Sequence, residues 1–253
     1  MQYERWAPVY ERIRAAFGYS WEDERAAAAC LRGLLAPSAE DLFPELVHRL
    51  RGREVVVVGQ APGAGPPPIW RLARSADGTA VIAADGATVA CLNAAVVPDV
   101  VVTDLDGPVA AEITAQARGA RVVVHAHGDN RALLERWVPE FAPPVLATWA
   151  GAPDPPMLNF GGFTDGDRAA YLAEAAGARR ILLWGFDFDR TDAAEPDPAR
   201  KRQKLRWAAL ALDHLATTAP GRLYVWARDG RIEPYGAARD APVTQSTDSA
   251  SSS

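Results

Sequence analysis

Pro98-Asp99-Val100-Val101-Val102-Thr103-Asp104-Leu105-Asp106-Gly107 reads as a short apolar strand that stops at two carboxylates spaced i, i+2. On a strand, residues two apart point to the same side. Asp104 and Asp106 would then offer oxygens to one cation just past the strand's carboxyl end, the edge at which open α/β sheets bind ligands. Two adjacent carboxylates repel unless a metal or a cationic group offsets them. A plain polar turn is the competing reading, because Asp-Gly is a common turn dipeptide.

The flanking sequence repeats this pattern. Upstream, Glu54-Val55-Val56-Val57-Val58-Gly59 is an uninterrupted β-branched run of the kind buried on both faces of a parallel sheet. Ala80 to Ala84 is a second strand ending at Asp85-Gly86, followed by a short helix. Downstream, Val122 to Val124, Val145 to Ala147, Ile181 to Trp184 and Leu223 to Trp226 read as strands, with helices over 109–118, 131–137, 165–176 and 199–217 between them. Such alternation predicts an α/β fold with a doubly wound, mostly parallel sheet. Ahead of it, Tyr3, Trp6, Tyr10, Ile13 and Phe17 recur at a helical period, Ser20 opens a second amphipathic run, and 41–50 continues the pattern. The expected organisation is a helical N-terminal region over 1–52, a catalytic α/β domain over 53–235, and a polar, disordered tail over 236–253.

Composition narrows the function. In 253 residues, 49% are hydrophobic and 23% charged, and the net charge is −5. That is ordinary for a globular enzyme and wrong for a general nucleic-acid binder, which needs excess positive charge to neutralise phosphates. Cys30 and Cys91 sit in apolar contexts without a CxxC pair, so a reducing cytoplasm is expected. No run of 18 apolar residues suggests a membrane span, and Glu4, Arg5 and Glu11 stand where a signal sequence would be apolar. Of 27 basic residues only Lys201 and Lys204 are lysines, three apart on one helical face. A compact ammonium pair in an arginine-rich chain suits a phosphate; a solvated helix face is the alternative.

The polar groups collect where strands end: Asp85, Asp104 with Asp106, His125 with His127 and Asp129, and Asp187. In a parallel sheet these ends share one edge, so they converge on one crevice. Hard oxygen ligands suit magnesium, with Asp104 and Asp106 as ligands and Asp85 in support. His125-Ala126-His127-Gly128-Asp129-Asn130 invites a zinc reading, but His48 and His214 fall on distant helices and no fourth ligand is in view. Substrate hydrogen bonding by this loop is preferred, with Asn130 either in that role or capping the next helix. In Asn159-Phe160-Gly161-Gly162-Phe163-Thr164-Asp165-Gly166-Asp167-Arg168, Thr164 and Asp167 predict a capping box, and the paired glycines beside aromatics suit close approach by a flat ligand. Gln60 to Pro68 is a Gly/Pro-rich loop without the Gly-Lys-Ser/Thr of a Walker A motif, and its phosphate signal is weak.

Taken in order, Asp85-Gly86-Ala87-Thr88, Pro98 to Gly107, His125 to Asn130, Asn159 to Arg168 and Gly185-Phe186-Asp187-Phe188 resemble the archaeal 6-hydroxymethyl-7,8-dihydropterin pyrophosphokinases, a family distantly similar to thiamine pyrophosphokinase. The resemblance spans roughly 54–210 and extends to a helical N-terminal part. It implies magnesium-dependent transfer of diphosphate from ATP to the pterin's hydroxymethyl group with release of AMP, in tetrahydromethanopterin or folate synthesis. It departs from the family at Pro108, where an acidic residue is usual, and at Gly63 to Pro68, which is only partly like the related Gly-x-Gly-Pro-Ser-Leu loop.

Chemistry then assigns roles. Asp104 and Asp106 hold magnesium; Lys201, Lys204 and Arg168 offset charge on the phosphates. Asp85, Thr103, His125, His127, Gly128, Asp129, Asn130, Phe163, Thr164, Asp165 and Asp187 are the expected contacts for ATP and pterin. Asp165 or Asp187 reads the amino-pyrimidinone edge, with Phe163 or Phe186 against the ring; Asp129 or His127 is a candidate base. The alternatives are thiamine as acceptor, a glycosyltransferase using Asp-x-Asp for a metal–nucleotide, a non-catalytic Mg·ATP module, and a zinc hydrolase. A homo-oligomer is left open.

Overall fold

A computed structural model describes residues 3–37, 39, 42–65, 78–227 and 229–236. The expected disordered tail therefore lies, from 237 onward, outside the described residues, as does 66–68 of the Gly/Pro-rich loop.

Nine strands form one sheet: β1 (Glu54–Val58), β2 (Thr79–Ala84), β3 (Val100–Thr103), β4 (Arg121–Ala126), β5 (Leu146–Trp149), β6 (Met157–Leu158), β7 (Arg180–Trp184), β8 (Leu223–Trp226) and β9 (Ile232–Pro234). Their spatial order is β6-β5-β4-β3-β2-β1-β7-β8-β9. All neighbours run parallel except β8 and β9. The doubly wound parallel sheet is as expected, but it extends beyond Leu223–Trp226 to β9 and beyond β5 to β6. Both additions are short edge pieces, and β9 ends in Pro234, which an edge strand tolerates.

The valines of β1 explain its central place. Val55 and Val57 face one side, Val56 and Val58 the other, and all four are fully buried. Helices cover both faces. On the first lie α1 (Tyr3–Phe17), α3 (Leu42–Leu50), α7 (Asp165–Ala175) and α8 (Pro198–Thr218), joined in one core through Trp6, Ile13, Leu46, Tyr171 and Leu212. On the second lie α2 (Trp21–Leu34), α4 (Ala87–Asn93), α5 (Val109–Ala117) and α6 (Arg131–Trp137). Each large side chain so removed from water contributes roughly 1.5–3 kcal/mol.

The first two helices thus sit on opposite faces. Ser20 caps α2, accepting from the Glu22 N–H at 3.1 Å. The turn between them, with Gly18 at φ +70°, carries the chain across the carboxyl edge of the sheet. Among the described residues no helix is long and apolar enough to cross a membrane.

Two chain directions part at β1. The chain leaves it toward β2 and works out to β6, then returns to the other side of β1 as β7. Sheets of this kind bind ligands at such a switch point. Here it is tight: Gly59 N–H donates to the Trp184 carbonyl and Ala61 N–H to that of Gly185, each at 2.8 Å. A Cβ on Gly185, whose φ is +72°, would lie 2.4 Å from the Gly59 carbonyl oxygen, so only glycine fits.

Candidate active site

Two chambers open along the carboxyl edge. The larger, about 530 Å³, sits at the switch point between Gly59-Gln60 and Gly185-Phe186-Asp187. The smaller, about 160 Å³, lies over β3 and β4 and is walled by Tyr10, Tyr19 and Glu24 from the N-terminal helices. Asp85, Thr164, Asp165, Lys201 and Leu205 border both. Asp104, Asp106, His127, Phe163, Arg168 and Lys204 line the smaller one.

Asp104 and Asp106 do come together, but strand alternation is not the reason. β3 ends at Thr103, and the chain turns at Leu105 with φ +70°, a conformation disfavoured for leucine. Burial of Leu105 among Val109 and Leu134 and an N–H to Thr103 Oγ1 bond at 2.9 Å hold the turn. The two carboxyls then face each other, and the Asp106 N–H points to Asp104 Oδ1 at 3.4 Å. Asp85, also left-handed at φ 44°, lies directly over Gly107, where a Cβ would fall 2.2 Å from its Oδ1. Thr103 Oγ1 donates to that carboxyl at 3.4 Å.

The charges in this cluster are unequal. Burial pushes the Asp104 carboxyl up, but the hydrogen bond and charge of His127, whose Nε2 is 3.2 Å from Oδ2, together with Arg168, hold it well below the usual carboxylate range. Asp106 is pushed up to about 6 by burial and then by the Asp104 and Asp85 charges. Asp165 is raised well above its ordinary value by burial and the nearby Asp104, although Arg168 Nη1 donates to it at 3.2 Å. Clustered carboxylates of this kind call for a cation among them. Among the described residues, no three His, Cys, Asp or Glu side chains form a ready cage for a metal.

Other expected contacts find different places. His125 is buried, with Nδ1 3.0 Å from Thr148 Oγ1, and borders a small cavity behind the site. Asn130 is not a side-chain cap: its amide donates at 2.8 Å to the carbonyls of Asp104 and His125, tying the ends of β3 and β4 together. Gly128 packs against α2, where a Cβ would meet Asp23 Cβ at 2.8 Å. Asp129 points outward to Arg200 at 3.8 Å. Asp187 borders the larger chamber but is taken up by its own loop, accepting from the N–H groups of Asp189 and Arg190 and from Arg190 Nε at 2.7 Å. Thr164 and Asp167 form the expected capping box. The paired glycines admit protein rather than ligand: a Cβ on Gly161 would strike the Tyr171 ring and one on Gly162 the Arg168 backbone, both at 2.6 Å. Lys201 and Lys204 share a face as expected, both on the smaller chamber.

The MptE-like 6-hydroxymethylpterin diphosphokinase family model matches residues 32–193. A 6-hydroxymethyl-7,8-dihydropterin pyrophosphokinase of Pyrococcus furiosus is 42% identical over 238 residues, covering 88% of this chain and 98% of that protein. The chain belongs to this family. A protein of the same name from Methanothermobacter thermautotrophicus is 36% identical over 89% of this chain and 100% of that one. Among solved structures, thiamine pyrophosphokinase from Bacillus subtilis matches with a TM-score of 0.39 at 16% identity, over 68% of this chain and 59% of that one, a likeness too slight to bear on substrate.

This family member carries acidic groups at the site that its sequence did not advertise. Glu112, on the first turn of α5, is fully buried and pushed up to about 9 by burial and then by contact with Asp85. Neither of its oxygens meets a donor at hydrogen-bonding geometry, and burial beside Asp85 favours its protonated form. Glu24 and Tyr10 arrive from the N-terminal helices. The available signal was a charged residue on an apolar helix face: Glu112 between Val109 and Ala115, Glu24 between Trp21 and Ala27.

Proposed function

We propose that this protein transfers the terminal diphosphate of ATP to the hydroxymethyl group of 6-hydroxymethyl-7,8-dihydropterin, releasing AMP. The observation that carries the reading is two chambers of unequal size that share Asp85, Asp165 and Lys201, with Asp104, Asp106 and Lys204 lining the smaller one beside that shared wall. A donor and an acceptor held on either side of a cation-binding cluster is what transfer between them requires. The larger chamber suits the nucleotide and the smaller the heterocycle.

The carboxylate oxygens fit a hard divalent cation, and their mutual repulsion favours one. Magnesium held by Asp104 and Asp106, with Asp85 beside them, would polarise the phosphoryl group under attack and neutralise phosphate charge. The protein's own groups do the rest. Lys201 and Lys204 bring ammonium charge to the phosphates, and Arg168, with Nε buried and unpartnered, adds a guanidinium from α7. His127 Nε2 fixes the Asp104 carboxyl. Gly59 and Gly185, packed against each other, form the backbone wall of the larger chamber.

The test is production of AMP and pterin diphosphate from Mg·ATP and the pterin, with thiamine as a parallel acceptor. Asp104→Asn and Asp106→Asn should each lower the rate by roughly 10²- to 10³-fold while the variants stay folded. ATP consumption that ignores the pterin, or a preference for thiamine, would overturn the reading.

A further inference from the structure

Glu24 stands apart from the groups that handle phosphate. It lies on the face of α2 that otherwise turns Ala27, Ala28 and Leu31 inward, and it is 2% exposed. The Tyr10 hydroxyl donates to Oε1 at 2.9 Å, whereas Oε2 is buried and meets no donor at hydrogen-bonding geometry. The residue borders the smaller chamber together with Tyr10, Tyr19 and Phe163. A buried acceptor left unpaired forfeits its hydration without return, so the arrangement is costly unless a ligand brings donors. Burial raises the carboxyl's pKa, against the opposing influence of Tyr10, His127, the Gly128 N–H and Arg168.

Glu112 lines neither chamber, and the other carboxylates that do line them are otherwise engaged. Asp187 is taken up by its own loop and Arg190, Asp165 is paired with Arg168, and Asp85, Asp104 and Asp106 form the acidic cluster over β3. An amino-pyrimidinone presents a ring N–H and an exocyclic amine side by side, two donors that one carboxylate accepts together. We propose that Glu24 reads this edge of the pterin, with the Tyr10 hydroxyl fixing the carboxyl and the aromatic residues of the smaller chamber lying against the ring. The N-terminal helices thereby supply the acceptor specificity, while the sheet edge supplies the phosphate chemistry. This rests on the diphosphokinase reading above.

Glu24→Gln keeps the shape and replaces one acceptor oxygen by a donor. It should raise the pterin KM by roughly 10- to 100-fold, leave the ATP KM within twofold, and recover much of kcat at saturating pterin. An analogue with oxygen in place of the exocyclic amine should be a poor acceptor for the wild type, and the variant should lose most of that discrimination. Tyr10→Phe should raise the pterin KM by a smaller factor with the same ATP KM, and it decides the question should Glu24→Gln not fold. If the wild type turns over pterin and either folded variant matches its pterin KM and its discrimination, the role of Glu24 is overturned and the diphosphokinase reading stands. If the wild type makes no pterin-dependent AMP, both fall.

Discussion

At the scale of single residues, the site depends on groups pressed against backbone that leaves no room for alternatives. Asp85 is held over Gly107 and beneath Thr103, with Glu112 as its acid neighbour. Gly107→Ala places a methyl group where the Asp85 carboxyl now lies. The aspartate, a flexible tip, must swing aside, so the expected outcome is a melting temperature changed little and a pterin-dependent rate lowered roughly 10²-fold, as for other small displacements at reacting centres. Kinetics and a thermal melt on one preparation check both halves; a rate within threefold of wild type would show that Asp85 is not needed in its present position. The carboxylates at strand ends were legible in the sequence because an apolar run that stops at Asp is a visible event. Glu24 and Glu112 were not, since a lone acid on a helix face gains meaning only when the helix is placed against the sheet.

At the scale of elements, the seven main strands and most helices announce themselves through β-branched runs and caps, whereas β6 and β9 do not. Two or three residues carry no period of their own, and neighbouring strands decide their pairing. Connections between layers are equally silent in sequence. Glu45 of α3 takes Arg121 of β4 through Nε at 2.9 and 3.0 Å to its two oxygens, and Arg49 at 2.9 Å. Burial acts against its charge, but these guanidinium bonds prevail and hold the carboxyl below its ordinary 4.5. A depressed folded pKa stabilises the fold above the unfolded value and loses that contribution as pH falls through the folded one. Glu45→Gln should therefore cost about 1 kcal/mol at pH 7, being a partly exposed pair, and the difference should shrink as pH drops below about 4.5. Denaturant titrations of both proteins at pH 7 and pH 3 check this; an equal gap at both values would contradict it.

At the scale of the whole molecule, the N-terminal helices are part of both the core and the site. α1 and α2 straddle the sheet, so Trp6 and Ile13 pack with Tyr171 on one face while Leu31 packs with Val122 and Val124 on the other. The segment's amphipathic stripe was readable, but its crossing of the carboxyl edge was not, because partners as distant in sequence as Val122 and Tyr171 determine it. Trp6 is 1% exposed and meets Tyr171 edge-on at 5.1 Å, in the same helix as Tyr10. Trp6→Ala should cost roughly 3–5 kcal/mol of global stability by leaving a cavity between α1 and α7. Because Tyr10 and Glu24 ride on the same packing, the pterin KM should rise as well, with the ATP KM less affected. Denaturation followed by near-UV and far-UV circular dichroism should show one transition, shifted as a unit, if helices and sheet share one core. Two separated transitions, or a loss below 1 kcal/mol, would mean that the sheet holds its site without the helices laid across its edge.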